Sequence, residues 1–130
     1  MVKTKDTRGN PLPALAKVII KENENDFLSW VIDIAHLYHW KVAHFRGAWS
    51  KDGKRYMTPV QADGKGWPDL CLAREMPDGS CDIIFAELKS QIGKLSPEQK
   101  GWMEILSKNP ATQCFVWKPS DRDEIKEILK

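Results

Sequence analysis

The stretch CDIIFAELK, residues 81–89, decides the fold and raises the first question about function. Its apolar centre is typical of a buried β-strand, in which successive side chains point to opposite faces. Glu87 and Lys89 therefore lie on the same face, at the end of the strand. Charged side chains are rarely found inside a sheet without a specific role. Ligands often bind at the ends of strands, so these two charges mark a candidate site.

The segment before this strand supplies a second carboxylate. WPDLCLAR (67–74) is predicted to be a strand, and MPDGS (76–80) contains the Asp-Gly pair of a tight turn. We therefore expect an antiparallel hairpin, whose open end brings Asp69 close to Glu87. Counting across the turn places Asp69 opposite about residue 88.

The expected pair of carboxylates, Asp69 and Glu87, indicates a metal site. Converging carboxylates repel each other unless a divalent cation lies between them, and oxygen ligands favour Mg²⁺ or Mn²⁺ over zinc. Lys89, beside the pair, can hold an attacking water or a phosphate oxygen and stabilise developing negative charge. A metal, an ammonium group and a water nucleophile are the parts of a hydrolase for nucleic acids.

The rest of the chain predicts helices around a mixed sheet. Ser96, Pro97 and Gln99 mark a helix start, with Gln99 completing a capping box. A strand reached through a crossover helix lies parallel to its neighbour, so we expect an α/β fold with a mixed four-stranded sheet, in the order α-β-β-β-α-β-α. Besides the hairpin, the predicted elements are a helix over 23–38, a strand over 40–46, a long loop over 47–66, a helix over 96–108, a strand over 112–118 and a helix over 120–130.

Composition indicates a globular intracellular protein. The chain has 130 residues, 42% apolar and 29% charged, which fits one domain with its own core. It has no apolar run long enough to span a bilayer and no recognisable signal peptide, so we expect no membrane partner. The three cysteines have neither disulfide nor zinc spacing. We divide the chain into a basic, irregular arm over residues 1–20 and a single domain over 21–130.

Three motifs, GWPDL, IIFAELKS and GKLSPEQKGWMEIL, give the chain a resemblance to a known family. In this order and spacing they are similar to the VRR-NUC branch of the PD-(D/E)XK nuclease superfamily, over roughly residues 24–118. The resemblance implies a restriction-endonuclease-like core and a nuclease site that depends on Mg²⁺ or Mn²⁺. The chain also resembles stand-alone phage members similar to Holliday-junction resolvases, which implies a homodimer acting on branched DNA in the cytoplasm of a bacterium or phage-infected cell.

The same resemblance implies roles for individual residues of the site. Asp69 and Glu87 match the family's metal-binding carboxylates, and we expect the backbone carbonyl of Leu88 to assist them. Lys89 matches the lysine of the E-x-K motif and is expected to orient or polarise the attacking water.

Two helical residues complete the match, and each has an open alternative. Gln99 matches the family's glutamine, yet the capping box competes for the same side-chain amide. Glu24 matches the acidic residue of the first helix, where it lies on the apolar stripe. It can equally be a residue that favours a helix N-terminus electrostatically, and Glu22 is the alternative candidate.

Contacts with DNA are expected from an uneven distribution of positive charge. The net charge is only +2, but residues 1–20 and 41–55 carry most of the unbalanced basic residues. The alternative for His44 is a structural role, which is more common for a histidine in a strand. The alternative for Lys94 is a solvated lysine that contacts no phosphate. Trp49 is a candidate for stacking on a base. The predicted DNA-contacting residues are His44, Arg46, Lys51, Lys54, Arg55 and Lys94.

The sequence thus predicts a metal-dependent DNA endonuclease for branched or flapped substrates. The first alternative is a catalytically inactive nucleic-acid-binding module of the same fold, which has no use for clustered carboxylates beside phosphate. The second is a small assembly protein whose six tryptophans form an interface. A cleavage assay separates the enzyme from both alternatives.

Overall fold

The structure is a computed structural model that describes the backbone of residues 14–45, 48–49, 52–54, 56–57 and 61–130. Side chains are described for 25–45, 52–54 and 61–130. The helices in these ranges are α1 (Ala14–Leu37), α2 (Pro97–Ser107) and α3 (Arg122–Leu129), with a 3₁₀ turn over Pro119–Asp121 before α3. The strands are β1 (Lys41–His44), β2 (Ala48–Trp49), β3 (Tyr56–Met57), β4 (Leu70–Glu75), β5 (Cys81–Leu88) and β6 (Thr112–Trp117).

The main sheet has four strands in the order β1-β4-β5-β6. Strands β4 and β5 form the predicted antiparallel hairpin, in which Leu70 pairs with Ala86. Strand β6 returns through α2 and lies parallel to β5, with Glu87 beside Val116. The expected mixed sheet with flanking helices is therefore confirmed, since a crossover helix is what a parallel neighbour requires.

The hydrophobic core lies between one face of this sheet and helices α1 and α3. The core side chains of α1 recur every fourth residue, so they form one stripe along the helix. Arg74 holds the end of α3 in place, because its guanidinium donates to the Leu129 carbonyl and stacks 4.3 Å from the Trp40 ring. The core residues, each at most 2% exposed, are Phe27, Val31 and Ala35 from α1, Leu70, Leu72, Ile84 and Ala86 from the hairpin, and Ile125 and Leu129 from α3.

Helix α2 covers the opposite face of the sheet, and it does so incompletely. Its N-terminus carries the predicted capping box at Ser96, but the helix contains no fully buried residue. Trp67 packs edge-on against Trp102 of α2 at 4.9 Å and against Phe85 of β5 at 5.4 Å. This face therefore has an aromatic layer in place of a closed core.

Two predictions about the N-terminal half need correction. Residues 14–20 were expected in an irregular arm, but α1 already begins at Ala14. Leu15, Val18 and Ile19 have helical spacing downstream of Pro13, and this spacing extends the helix upstream of the predicted start. The loop expected over 47–66 also contains a short antiparallel ladder, since β2 pairs with β3.

No helix within the described ranges is both long and apolar enough to cross a membrane.

Candidate active site

The open end of the β4–β5 hairpin brings the two predicted carboxylates together. The register that pairs Leu70 with Ala86 continues to Asp69 beside Glu87, one residue from the predicted position 88. The Leu88 backbone N–H donates to Asp69 Oδ2 at 2.9 Å, and this bond fixes the aspartate across the hairpin. The sequence-based expectation that these carboxyl groups converge is therefore met.

Glu87 is the only buried charged residue in the part of the chain that the structure describes, with 2% of its surface exposed. Its Oε1 accepts a hydrogen bond from Gln99 Nε2 at 2.8 Å. Its Oε2 is buried and has no hydrogen-bond partner. An unpaired buried carboxylate oxygen is costly, and such an atom needs either a proton or a cation beside it.

The surroundings of Glu87 change its titration. Burial raises the pKa of Glu87 to about 8, together with the charge of Asp69 and a proton that the two carboxyl groups share, and Lys89 opposes this rise only in part. Because the two carboxyl groups interact strongly, the proton belongs to the pair. Near neutral pH the metal-free pair therefore retains a proton, whereas a divalent cation would favour its release.

Gln99 serves the helix and the site at once, which corrects the expectation that the two roles compete. Its Oε1 accepts from the Ser96 backbone N–H at 2.9 Å and completes the capping box. Its Nε2 is then directed at Glu87. Because an amide has an acceptor at one atom and donors at the other, one side chain satisfies both partners.

A close backbone contact locks the loop before Asp69 onto the first turn of α2. Gly66 has φ +84°, and a Cβ at this position would lie 2.6 Å from the Glu98 carbonyl carbon and 2.7 Å from the Gln99 nitrogen. The Trp102 indole N–H donates to the Asp63 and Lys65 carbonyls at 3.0 and 3.1 Å. The loop that leads to Asp69 and the helix that carries Gln99 are therefore positioned by each other.

Lys89 lies on the same side of the sheet edge as the carboxylates. It lines a cleft of about 420 Å³ together with Asp69, His44 and Asn25. Its backbone N–H donates to the Trp117 carbonyl at 2.9 Å, which continues the β5–β6 pairing to the edge of the cleft. An ammonium group and a carboxylate thus face one solvent-accessible space, large enough for a phosphate group.

Only some of the remaining predicted site residues lie at the cleft. His44 lines the cleft, whereas Lys54 and Lys94 are exposed and are not among its lining residues. Glu22 and Glu24 belong to α1, but their side chains lie outside the described part. The same holds for the side chains of Arg46, Trp49, Lys51 and Arg55.

Three contributors to the site were not singled out from the sequence. Asn25 lines the cleft, one helical turn before Leu28. Gly66 and Trp102 carry the loop-to-helix contact. Two of them had a sequence signal: Gly66 is the glycine of GWPD, and Trp102 follows Gln99 by three residues, so Trp102 and Gln99 share a helix face.

The residues present fit a hard divalent cation, although their number is small. Within the described ranges no group of three or more His, Cys, Asp or Glu side chains could hold a metal ion. The donors available are the carboxylates of Asp69 and Glu87, with the carbonyl of Leu88 between Glu87 and Lys89 in the chain. Carboxylate and carbonyl oxygens are the ligands that Mg²⁺ and Mn²⁺ prefer, and the partnerless Glu87 Oε2 is a free donor atom.

Comparison with known proteins identifies the domain. The chain is similar to dual specificity tyrosine-phosphorylation-regulated kinase mbk-2 of Caenorhabditis briggsae, with 31% identity over 119 residues, and to mbk-2 of Caenorhabditis elegans, with 30%. These alignments cover 84% of this chain but only 13% of each kinase. No solved structure matches the chain. The model of the VRR-NUC domain matches residues 15–116, and the fold is consistent with the restriction-endonuclease-like type. The chain therefore belongs to the VRR-NUC family of nuclease domains.

Proposed function

We propose that this protein is an endodeoxyribonuclease that depends on Mg²⁺ or Mn²⁺ and hydrolyses phosphodiester bonds in branched DNA such as Holliday junctions or flaps. The observation that carries the proposal is the pairing of buried Glu87, whose Oε2 has no hydrogen-bond partner, with Asp69, which lines an open cleft together with Lys89. A domain that only binds nucleic acid gains nothing from carboxylates that face phosphate, since these charges repel the ligand.

The mechanism assigns each group a separate task. Asp69, Glu87 and the Leu88 carbonyl would hold the cation, which supplies positive charge to the phosphate and favours ionisation of water. Lys89 orients the attacking water or binds a phosphate oxygen, and it stabilises the negative charge that develops in the transition state. Gln99 keeps Glu87 in one orientation through its 2.8 Å hydrogen bond to Oε1, which leaves Oε2 as the oxygen that would bind the cation.

Groups further from the carboxylates would bind the DNA backbone. His44 lines the cleft, and we assign further phosphate contacts to Lys54 and Lys94, which are exposed. Arg46, Lys51 and Arg55 join this surface in the proposal because of their place in the basic segment 41–55. Binding that rests on phosphate contacts weakens steeply with salt, so we expect a strong ionic-strength dependence.

The finer parts of the proposal follow the family resemblance. We include Glu24 among the residues that shape the site, and a homodimer that presents two sites to two DNA strands. We place the protein in the cytoplasm of a bacterium or a phage-infected cell. The kinase names of the aligned relatives add no phosphorylation chemistry to the proposal, because the chain lacks the G-x-G-x-x-G, H-R-D and D-F-G motifs of protein kinases.

The decisive experiment is a panel of labelled DNA substrates incubated with Mg²⁺ and with Mn²⁺. The panel contains four-way junctions, flaps, linear duplex and single strands. We expect cleavage of the branched substrates, and we expect the Lys89→Ala variant to cut at least about 100-fold more slowly while binding DNA normally. Lys108→Ala is the matched control, since Lys108 is an exposed lysine at the opposite end of α2. If all substrates stay uncut with either metal, the nuclease proposal is wrong.

A further inference from the structure

The turn that follows β5 presents one apolar side chain to solvent. The turn closes when the Gly93 N–H donates to the Ser90 carbonyl at 3.0 Å. Ile92 lies at its tip and is 90% exposed, more than any other large apolar side chain in the described part of the chain. Single exposed apolar residues are common on protein surfaces, so exposure alone assigns no role to Ile92. The hydrogen bonds, the cleft and the charges around Ile92 indicate what that role is.

The turn is held in place through Gln91, the residue before Ile92. The Gln91 carbonyl accepts from Lys118 Nζ at 3.2 Å, and Gln91 Oε1 accepts from the Ser120 N–H at 3.2 Å. These two bonds tie the turn to the segment between β6 and α3. A side chain at the tip of such an anchored turn is kept outside the core, and its exposure is a property of the backbone.

The other side of the turn packs on the candidate catalytic lysine. A Cβ at Gly93 would lie 3.4 Å from both Cβ and Cδ of Lys89 and 3.1 Å from Ser90 Oγ. Gly93 and Ser90 also line the cleft that contains Asp69 and Lys89. Ile92 is therefore on the rim of the cleft, one residue from a lining position.

The charges around Ile92 select the kind of partner. Lys89 precedes it by three residues, and the exposed Lys94 follows it by two. An apolar protein surface would have to remove water from these ammonium groups, which is unfavourable. DNA offers phosphates for both lysines and apolar base faces for the side chain between them.

We propose that Ile92 is a wedge that inserts between stacked bases at a DNA branch point, next to the phosphate that the site cuts. This inference rests on the proposed nuclease function and gives it a source of structure selectivity. Inserting an apolar side chain requires that two bases separate. The separation is less unfavourable at a junction or flap than in continuous duplex, because strands that leave the stack interrupt the backbone at the branch point. The wedge therefore favours branched substrates without reading sequence.

The first test compares Ile92→Ser with Ile105→Ser. Ile105 is a matched control because it is also an exposed isoleucine, 64% exposed, but lies on α2. The quantity measured is the ratio of cleavage rates on a four-way junction and on linear duplex of the same sequence. We expect Ile92→Ser to lower this ratio at least tenfold, Ile92→Leu to restore it, and Ile105→Ser to leave it unchanged. A ratio that stays within twofold in Ile92→Ser overturns the wedge.

A second test reads base separation without cleavage. The DNA carries 2-aminopurine beside the branch point, and the protein carries Lys89→Ala so that the DNA stays intact. Fluorescence should rise on binding and should not rise when Ile92→Ser is added to the same variant. If the protein binds the branch without a rise, the wedge is wrong even where wild-type protein cuts. If fluorescence rises but wild-type protein cuts nothing with either metal, the nuclease proposal fails and the wedge remains.

Discussion

The two ends of the β4–β5 hairpin treat a carboxylate in opposite ways. At the turn, Asp78 is exposed and accepts hydrogen bonds from the backbone N–H and the hydroxyl of Ser80, which lower its pKa. At the open end, Glu87 is buried, one oxygen has no partner, and burial raises its pKa to about 8. The turn stabilises its charge with local bonds, whereas the open end buries a carboxyl group with one oxygen unsatisfied and so disfavours its charged form.

This difference shows where folding and function make separate demands. A turn needs only local partners for its polar groups, and Asp78 with Ser80 provides them within three residues. A metal site needs donor atoms that no protein group has already satisfied. The free oxygen of Glu87 meets that need at a cost in stability, and the well-packed α1–α3 face of the sheet offsets it.

The largest expected effect is on metal binding at the open end. Since a cation binds the ionised carboxylates, Mn²⁺ affinity should rise about tenfold per pH unit below the Glu87 pKa of about 8. Glu87→Gln should abolish this rise and most of the binding. Isothermal titration calorimetry at pH 6, 7 and 8 measures both. Glu75→Gln is the control, because Glu75 is an exposed carboxylate at the turn end of β4.

The next effect concerns the free energy of unfolding without metal. The pKa of Glu87 is raised in the folded state, so between its ordinary value of 4.5 and about 8 the folded protein binds more protons than the unfolded chain. The contribution of Glu87 to the free energy of unfolding is therefore greatest below pH 4.5. It falls as pH rises through 8, by at most about 1.4 kcal/mol per pH unit. Urea unfolding in EDTA measures the slope, which Glu87→Gln should flatten. An unchanged slope in that variant contradicts the assigned titration.

Gly66 and Gly79 extend the comparison to the backbone. Both have positive φ, +84° and +85°, but a Cβ would meet α2 backbone atoms at 2.6–2.7 Å only at Gly66, and nothing within 4 Å at Gly79. Gly79→Ala should therefore cost only the conformational term, about 1 kcal/mol. Gly66→Ala should cost about 1–3 kcal/mol more and also slow cleavage, because it displaces Gln99 from Glu87. If Gly66→Ala and Gly79→Ala lose the same thermal stability and the same cleavage rate, the close contact at Gly66 has no role.

The smallest effect is expected at the turn. Asp78→Ala removes the bonds to Ser80 and should lower the melting temperature slightly at pH 7, with no change in cleavage. The pKa of Asp78 is lowered in the folded state, so its contribution is present above the usual value of 3.8 and disappears as pH falls through the folded value. Wild type and variant should therefore converge in acid, opposite in sign to the behaviour of Glu87.

Much of this arrangement follows from local sequence signals. The alternation in IIFAELK, the Asp-Gly turn and the capping signature at Ser96 each depend on neighbours within a few residues, and all three are present in the structure. The observed start of α1 lies upstream of the predicted one, because the prolines before Ala14 indicate an irregular lead-in whereas the apolar spacing that follows them is helical.

Properties that depend on long-range contacts were harder to anticipate. Gln99 uses both ends of its amide only because α2 packs over β5 at a defined distance. No local sequence pattern predicts that distance. The need for glycine at position 66 arises from the backbone of residues 98 and 99, far along the chain. The pKa of Glu87 depends on burial by the sheet and on the nearby charge of Asp69. Asp69 is itself oriented by a hydrogen bond from Leu88, nineteen positions further along the chain.

The double use of Gln99 has a consequence for a newly made chain. The same side chain closes the first turn of α2 and orients Glu87, so the helix end and the site are completed in one step. Until β6 has been synthesised and α2 has docked on the sheet, the glutamate lacks its orienting amide. For the proposed nuclease, a partly synthesised copy therefore lacks the arrangement that cutting requires, because the bond that orients Glu87 forms only after α2 has docked.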